Sequence, residues 1–381
     1  MLQAILNGQM FLPDRIEKNA CLLFEDRILG LVSESALPAD ARRIDAGGAY
    51  VIPGLIDMHI HGYLGEDASD GSFEGLRTMA EGVAQNGVTG FLPTTMTISD
   101  AELRAALTQI RAAMAASLQP DWHGAQVLGA NAEGPFINPA KKGAQAAENI
   151  RPGDAAFLRE YLDVIRVFTI APEMPGNMDC IREMAGQCLI SMGHTAATYE
   201  QAAEGIEAGV RHVTHLFNAQ PPLMHRDSGV VGAALTDDRV SCELIADTFH
   251  VDRHLFPLVA HMKGDGLVLI TDCTRAGGLA DGQYTLGGQP IFVRGIECRL
   301  ADGTIAGSVL KLNEAVHNLL DNTALAPWEA VNAASLAPAR RIGVDDAKGS
   351  LEMGKDADIV LCDRNFDILR TIVGGRMVYV R

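Results

Sequence analysis

Short apolar, β-prone runs ending on a polar residue recur along the chain, and stretches with helical spacing separate them. Eight such runs are visible, at 55–61, 89–93, 126–133, 167–173, 188–194, 212–216, 240–247 and 267–272. Between them lie amphipathic segments such as 73–85, 100–116, 198–208 and 252–262, with Thr198 and Asp252 placed as N-caps and Gly209 and Gly264 as helix stops. Strands alternating with helices predict parallel pairing through right-handed crossovers. Eight units over roughly 55–340 match a (β/α)8 TIM-like barrel better than the competing reading, a doubly wound open sheet.

Both ends of the chain follow a different pattern. Residues 1–53 hold short β-like runs at 4–6, 21–25 and 28–32, and residues 345–381 hold others at 358–362, 371–373 and 376–380. Gly349, Gly354 and the Gly374-Gly375 pair supply turns. Neither end alone can bury a core, so 1–53 and 345–381 are expected to build one small β-sandwich domain beside a barrel spanning 54–344.

The 381 residues are 48% hydrophobic and 21% charged, an ordinary globular composition. With 31 basic and 48 acidic side chains the formal net charge is −17, which argues against a nucleic-acid partner. A small anionic substrate needs only a few local cations and stays open. No apolar run reaches the ~20 residues that span a bilayer, and the N-terminal segment lacks a basic leader followed by an apolar core. Seven scattered cysteines without a CxxC pair suit reduced thiols, so a cytoplasmic protein is expected, with no membrane partner.

In a barrel, functional groups collect at the C-terminal ends of the strands. The residues found there are His59, His61, Glu133, Glu173, His194, His215, Asp247 and Asp272. His59 and His61 in LIDMHIHG stand at i and i+2, so both imidazoles can face the barrel mouth. Glu133, in LGANAEGPF, precedes a Gly-Pro expected to halt the strand; a solvated loop carboxylate is the plain alternative. A lone histidine such as His194 or His215 is more often a satisfied core residue than a ligand. Two imidazoles and a carboxylate from separate strands, however, make a site suited to Zn²⁺ or Fe²⁺. The HxH pair could hold a second divalent ion with Glu133 as bridge. Asp272, in VLITDCTRAGG, is either a loop aspartate or, beside a metal, the group that takes a proton from water and returns it to a leaving group. Arg226 in the Pro-rich loop 221–227 could fork onto a phosphate or pair with Asp227, and His250 could join it. Lys141 and Lys142 read as solvated, and His123, His212, His225, His254, His261 and His317 as structural or surface residues.

PGLIDMHIHG and the tail GSLEMGKDADIVLCD resemble the opening strand and closing β-domain of the amidohydrolase superfamily. More narrowly, AEGPFINPAKKGAQ, GHTAAT, THLFNAQPPLMHRDSG, IADTFHVD, ITDCTRAGG and IAGSVLKLNEAV resemble, in order and over nearly the whole chain, the N-acetylglucosamine-6-phosphate deacetylase family. The resemblance implies Glu133, His194 and His215 as metal ligands, His59 and His61 as holders of a second metal, and Asp272 as catalytic acid–base. It implies Asn218 and Ala219 as residues gripping the sugar, and Ile305, Ala306 and Gly307 as a loop lining it. Arg226 and His250 match a phosphate-binding pair, part of which a neighbouring subunit supplies in some relatives, so a homodimer is implied. Two positions depart from the family pattern: Ala144-Gln145 stands where the motif usually continues to a histidine thought to contact the substrate carbonyl, and Gln220 replaces a common Met. An amide can donate a hydrogen bond there but cannot titrate near neutrality.

The activity implied is metal-dependent hydrolysis of the N-acetyl group of N-acetyl-D-glucosamine 6-phosphate, releasing acetate. Rivals are the galactosamine isomer, differing in one hydroxyl's orientation, another amidohydrolase, and a non-catalytic barrel that binds metal and sugar. Cyclic-amide hydrolases often bridge their metals with a modified lysine on the fourth strand, which reads VFTIAPE here, without one.

Overall fold

A computed structural model describes all 381 residues. Eight parallel strands surround the central core in chain order: Leu55–Ile60, Val88–Thr95, Ala130–Phe136, Ile165–Ile170, Leu189–Met192, His212–Val213, Ser241–Ile245 and Leu267–Ile270. Closure between first and last runs just past the final strand, where Asp272 N–H donates to the His59 carbonyl at 2.9 Å and His61 N–H to that of Cys273 at 2.9 Å. The structure is therefore a closed barrel and not an open sheet. Strands buried on both faces need continuous apolar runs, and these residues with the inner faces of the helices form one core of 80 buried side chains.

Helix signals in the sequence map onto real ends. Ser72 caps Phe73–Ala84, Ser99 makes a capping box with Glu102 ahead of Asp100–Ala116, and Thr198 does the same with Gln201 ahead of Tyr199–Ala208. Gly209 and Gly264 end their helices. The segment at 252–262 is a 3₁₀ turn, Arg253–Leu255, that runs into Phe256–Lys263, because Pro257 suits only a first helical turn.

Three expectations need correction. The run at 126–133 is broken at Gly129, whose φ of +151° turns the chain, so Gln126–Val127 and Ala130–Phe136 are separate strands. Gly134-Pro135 does not halt the strand; pairing resumes at Phe136 after a register shift, leaving Glu133 inside it. Finally, residues 282–300, read as plain barrel, form an antiparallel three-stranded sheet of Gly282–Leu286, Gln289–Arg294 and Glu297–Leu300. Its inner face packs Leu286, Ile291, Val293 and Leu300 against Met96, Ala144 and Ala306 at the barrel mouth.

Both termini meet in two facing sheets. One contains Gln3–Leu6, Cys21–Phe24, Ile28–Val32 and Arg42–Asp45; the other joins Gln9–Leu12, Arg15–Glu17 and Tyr50–Pro53 to Ile359–Cys362, Ile368–Val373 and Arg376–Val380. Pro53 pairs with Ile359 and Tyr50 with Cys362. Ile5, Leu22 and Phe24 from one end share a core with Leu351, Ile359 and Ile372 from the other, which is why neither end folds a core alone.

Candidate metal centre

The barrel mouth gathers its polar side chains by bending the backbone immediately after the strands. His194, His215 and Asp272 all have positive φ, +46°, +28° and +50°, a conformation that non-glycine residues rarely adopt. Each lies two residues beyond its strand, so the turn, and not strand alternation, aims the side chain inward. The loop after His61 is tight for a different reason: a Cβ at Gly62 would strike the Glu66 carbonyl and the Arg275 amide. A Cβ at Gly307 would meet the Asp272 carbonyl at 2.9 Å, so this glycine lets its loop lie directly on the Asp272 turn.

Glu133 is the hub. Its Oε1 lies 3.0 Å from Nε2 of both His194 and His215 and 3.5 Å from Nε2 of His59. Its Oε2 lies 3.2 Å from His61 Nε2. Asp272 Oδ1 closes the far side, 3.1 Å from His61 Nε2 and 3.4 Å from His59 Nε2. The structure thus unites His59, His61, Glu133, His194, His215 and Asp272, as two triads sharing Glu133 with Asp272 alongside.

Hydrogen bonds behind the imidazoles fix which nitrogen faces inward. His61 Nδ1 donates to the Thr94 carbonyl at 3.1 Å, His194 Nδ1 to the Lys141 carbonyl at 2.8 Å, and His59 Nδ1 to the Glu243 carboxylate at 2.9 Å. In the neutral rings the Nε2 of these three histidines therefore turns a lone pair inward, while His215 Nδ1 is buried without a hydrogen-bond partner. His194 and His215 even face each other Nε2 to Nε2 at 3.1 Å, and His59 Nε2 has no hydrogen-bond partner although fully buried. Converging nitrogen and carboxylate lone pairs repel unless positive charge lies between them, so this donor set fits a divalent cation.

Proton affinities point the same way. Burial lowers the pKa of His59, but the Glu243 and Glu133 carboxylates lift it to about 9. His61 is lowered by burial and raised well above its ordinary value by Asp272 and Glu133. Burial would raise Glu133, yet His194 and His59 hold it well below the usual carboxylate range. Asp272, likewise raised by burial, is brought below its ordinary value by His61 and His59.

A cavity of about 390 Å³ opens above these groups. Of the expected substrate contacts, Ala144, Gln145, Asn218, Ala219, His250, Ile305, Ala306 and Gly307 line it. Gln145 is committed elsewhere: its Nε2 donates to Glu133 and its Oε1 accepts from Thr97 N–H. Arg226 is not brought to the cavity; it sits on an exposed loop with Leu223 and Met224. Asp247 accepts from His250 Nδ1 at 2.6 Å and so turns Nε2 outward. Glu173 binds Asn138, Thr195 and the Ala196 amide, tying the loops after the third and fifth strands together.

Several participants escaped the sequence reading. Lys141 is no bystander on the surface, since its carbonyl orients His194, its ammonium donates to the Gln220 carbonyl and the residue borders the cavity. His212, read as structural or surface, is indeed structural, buried against Glu243 and Ser241. Glu243 is fully buried, and its one available signal was a charge in the middle of an otherwise apolar strand, SCELI. Gln220 braces the loop it stands in, donating to the Thr214 carbonyl and accepting from Phe217 N–H.

Comparison with known proteins gives a consistent result. The family model described as Amidohydrolase family matches residues 50–378. An N-acetylglucosamine-6-phosphate deacetylase of Bacillus subtilis is 39% identical over 336 residues, covering 87% of this chain and 85% of that protein. An N-acetylgalactosamine-6-phosphate deacetylase of Escherichia coli O157:H7 is 38% identical over 330 residues, 85% of this chain and 86% of that protein. The crystal structure of the N-acetylglucosamine-6-phosphate deacetylase of Pasteurella multocida superimposes with a TM-score of 0.93 at 30% identity, each chain being covered fully.

Proposed function

The chain belongs to the metal-dependent amidohydrolase family, and on that premise we propose that it hydrolyses the acetamide of N-acetyl-D-glucosamine 6-phosphate to D-glucosamine 6-phosphate and acetate. The observation that carries this reading is the convergence of four imidazoles and two carboxylates beneath a cavity of sugar-phosphate size. Glu133, His194 and His215 would hold one divalent ion and His59 and His61 a second, with Zn²⁺ or Fe²⁺ best suited to this nitrogen-rich set. When bound, such a cation would lower the pKa of water towards neutrality and polarise a carbonyl oxygen.

The chain's own residues do the rest. Asp272, ionised and 3.1 Å from His61, accepts the proton of the attacking water and then delivers it to the departing amine. Asn218 and Ala219, with Ile305, Ala306 and Gly307 opposite, hold the sugar; His250 takes the phosphate from within the chain. Arg226, exposed and outside the cavity of its own chain, would serve a phosphate from a second copy, which favours a homodimer: its loop exposes Leu223 (42%) and Met224 (53%), side chains that a neighbouring subunit would cover. Remote phosphate binding then orients the acetamide towards Asp272 and the cluster around Glu133. Seven free thiols suit a reducing cytoplasm, and no helix is long and apolar enough to cross a membrane.

The similar identity to a relative named N-acetylgalactosamine-6-phosphate deacetylase makes the epimer the second reading. Acetate release from both 6-phosphosugars and from their unphosphorylated forms, alongside elemental analysis, decides the matter. The reading stands if the gluco 6-phosphate has the highest kcat/KM and the protein carries a transition metal; it falls if no amide is cleaved.

A further inference from the structure

Glu243 lies in the middle of the seventh barrel strand, 0% exposed, with its carboxylate inside the barrel beneath the metal centre. An ionised carboxylate with no access to water needs donors on every side. Here Oε2 accepts from His59 Nδ1 at 2.9 Å and from His215 N–H at 2.9 Å, and Oε1 accepts from His212 Nε2 at 3.2 Å. His212 is held in turn by Ser241 at 2.6 Å. The Glu243 main-chain carbonyl accepts Leu216 N–H at 3.0 Å, so one residue pins both amides of the turn that carries His215. That turn is strained, with φ of +28° at His215.

Resting on the metal-centre reading above, we propose that Glu243 is a positioning residue that tunes cation binding, by fixing the His59 ring with Nε2 inward and by holding the His215 turn. It thereby links the HxH half of the centre to the half built on His194 and His215. The carboxylate also makes the His59 imidazole a stronger donor, the usual effect of an acid behind a ligating histidine.

Two substitutions separate this role from plain folding. In Glu243→Gln the amide oxygen can keep His59 and His215 while the NH₂ faces His212, whose tautomer swaps towards Ser241; the shape survives and the charge goes. Glu243→Leu removes the acceptors altogether. Zn²⁺ affinity of both variants and of wild type is measured by competition with a chromophoric chelator, and melting temperature is measured with and without metal. We expect about 10- to 100-fold weaker Zn²⁺ binding in Glu243→Gln. We also expect a smaller gain in melting temperature on loading, because stabilisation by a bound ion follows its affinity. Glu243→Leu should be weaker still, and if it does not fold, Glu243→Gln alone decides. Wild-type affinity in Glu243→Gln, or equal losses of stability in metal-free and metal-loaded protein with affinity intact, overturns the assignment. Failure of the wild type to take up Zn²⁺ would instead overturn the metal-centre reading, and this assignment with it.

Discussion

Gln145 donates from Nε2 to Glu133 Oε2 at 2.6 Å while its Oε1 accepts from Thr97 N–H at 2.6 Å. A backbone N–H can only donate, so the amide has one possible orientation and its NH₂ must face the carboxylate. The glutamine that departs from the family's pattern therefore steadies the hub of the centre through Oε2, while Oε1 faces His194, His215 and His59. Gln145→Glu would set two buried carboxylates against each other, and like charges at this distance cannot both stay ionised. At pH 8 this variant should lose at least about tenfold in metal affinity, whereas Gln145→Ala, which loses the hydrogen bonds to Glu133 and Thr97 but adds no charge, should lose only a few-fold. The Gln145→Glu defect relative to wild type should ease as pH falls, because the introduced carboxyl group, once protonated, donates as the amide does. Equal metal affinity of Gln145→Glu and wild type at pH 8 would refute the contact.

Asp272 is the only carboxylate near the imidazoles that is neither the bridging hub nor enclosed behind them, and its side chain is 11% exposed to the cavity. Asp272→Asn keeps size and hydrogen-bonding capacity but cannot take a proton. Metal content and KM should stay within a few-fold of wild type, while kcat falls by about 10²–10⁴. Steady-state kinetics of the metal-loaded variant is the check, and a near-normal kcat would remove Asp272 from its role.

How much of this was legible follows from which interactions are local. Strand and helix periods, caps such as Thr198 with Gln201, and the i, i+2 pair His59 and His61 depend on neighbours in sequence, so the barrel and half the centre could be read directly. The bends at His194, His215 and Asp272 were not readable, because the enrichment of histidine and aspartate at positive φ is too weak to place a bend at any one position. Glu243 and the Thr94 and Lys141 carbonyls act through space from other strands and loops. The sheet at 282–300 was missed since exposed residues alternate with only a few buried ones there, a weak signal beside eight apolar strands.

Arg226 carries a prediction about assembly as well as substrate. Its exposure within one chain leaves it no cavity of its own to serve. Arg226→Ala should raise KM for the 6-phosphosugar at least about tenfold, since a charge-assisted contact to phosphate is lost, while barely changing the rate with the unphosphorylated sugar. Mixing Arg226→Ala with an Asp272→Asn variant should restore part of the activity if the arginine serves the neighbour's site. An unchanged kcat/KM for the phosphosugar in Arg226→Ala would reject the phosphate contact, and no recovery in the mixture would reject sharing between subunits.

Far from the centre, Lys348 tests the joint between barrel and terminal sheets. Its ammonium is buried between Asp358 at 2.8 Å and Asp356 at 2.9 Å. Asp358 also accepts Gly374 N–H, and its main-chain carbonyl accepts Gly54 N–H, so the cluster ties the last strands to the start of the barrel. Burial lowers the Lys348 pKa, but Asp358 and Asp356 more than offset this and raise it above its ordinary value. A raised cationic pKa means that the folded state holds the proton more tightly. The stabilisation is then complete below the unfolded value, about 10.4, and is lost as pH climbs through the folded value above it. Lys348→Met leaves buried Asp358 without its counter-charge, which costs about 3–5 kcal/mol. Urea unfolding should show that deficit unchanged between pH 7 and 10 and shrinking at higher pH. A deficit that persists undiminished at pH 12 would mean that Lys348 contributes through packing of its stem and not through its charge.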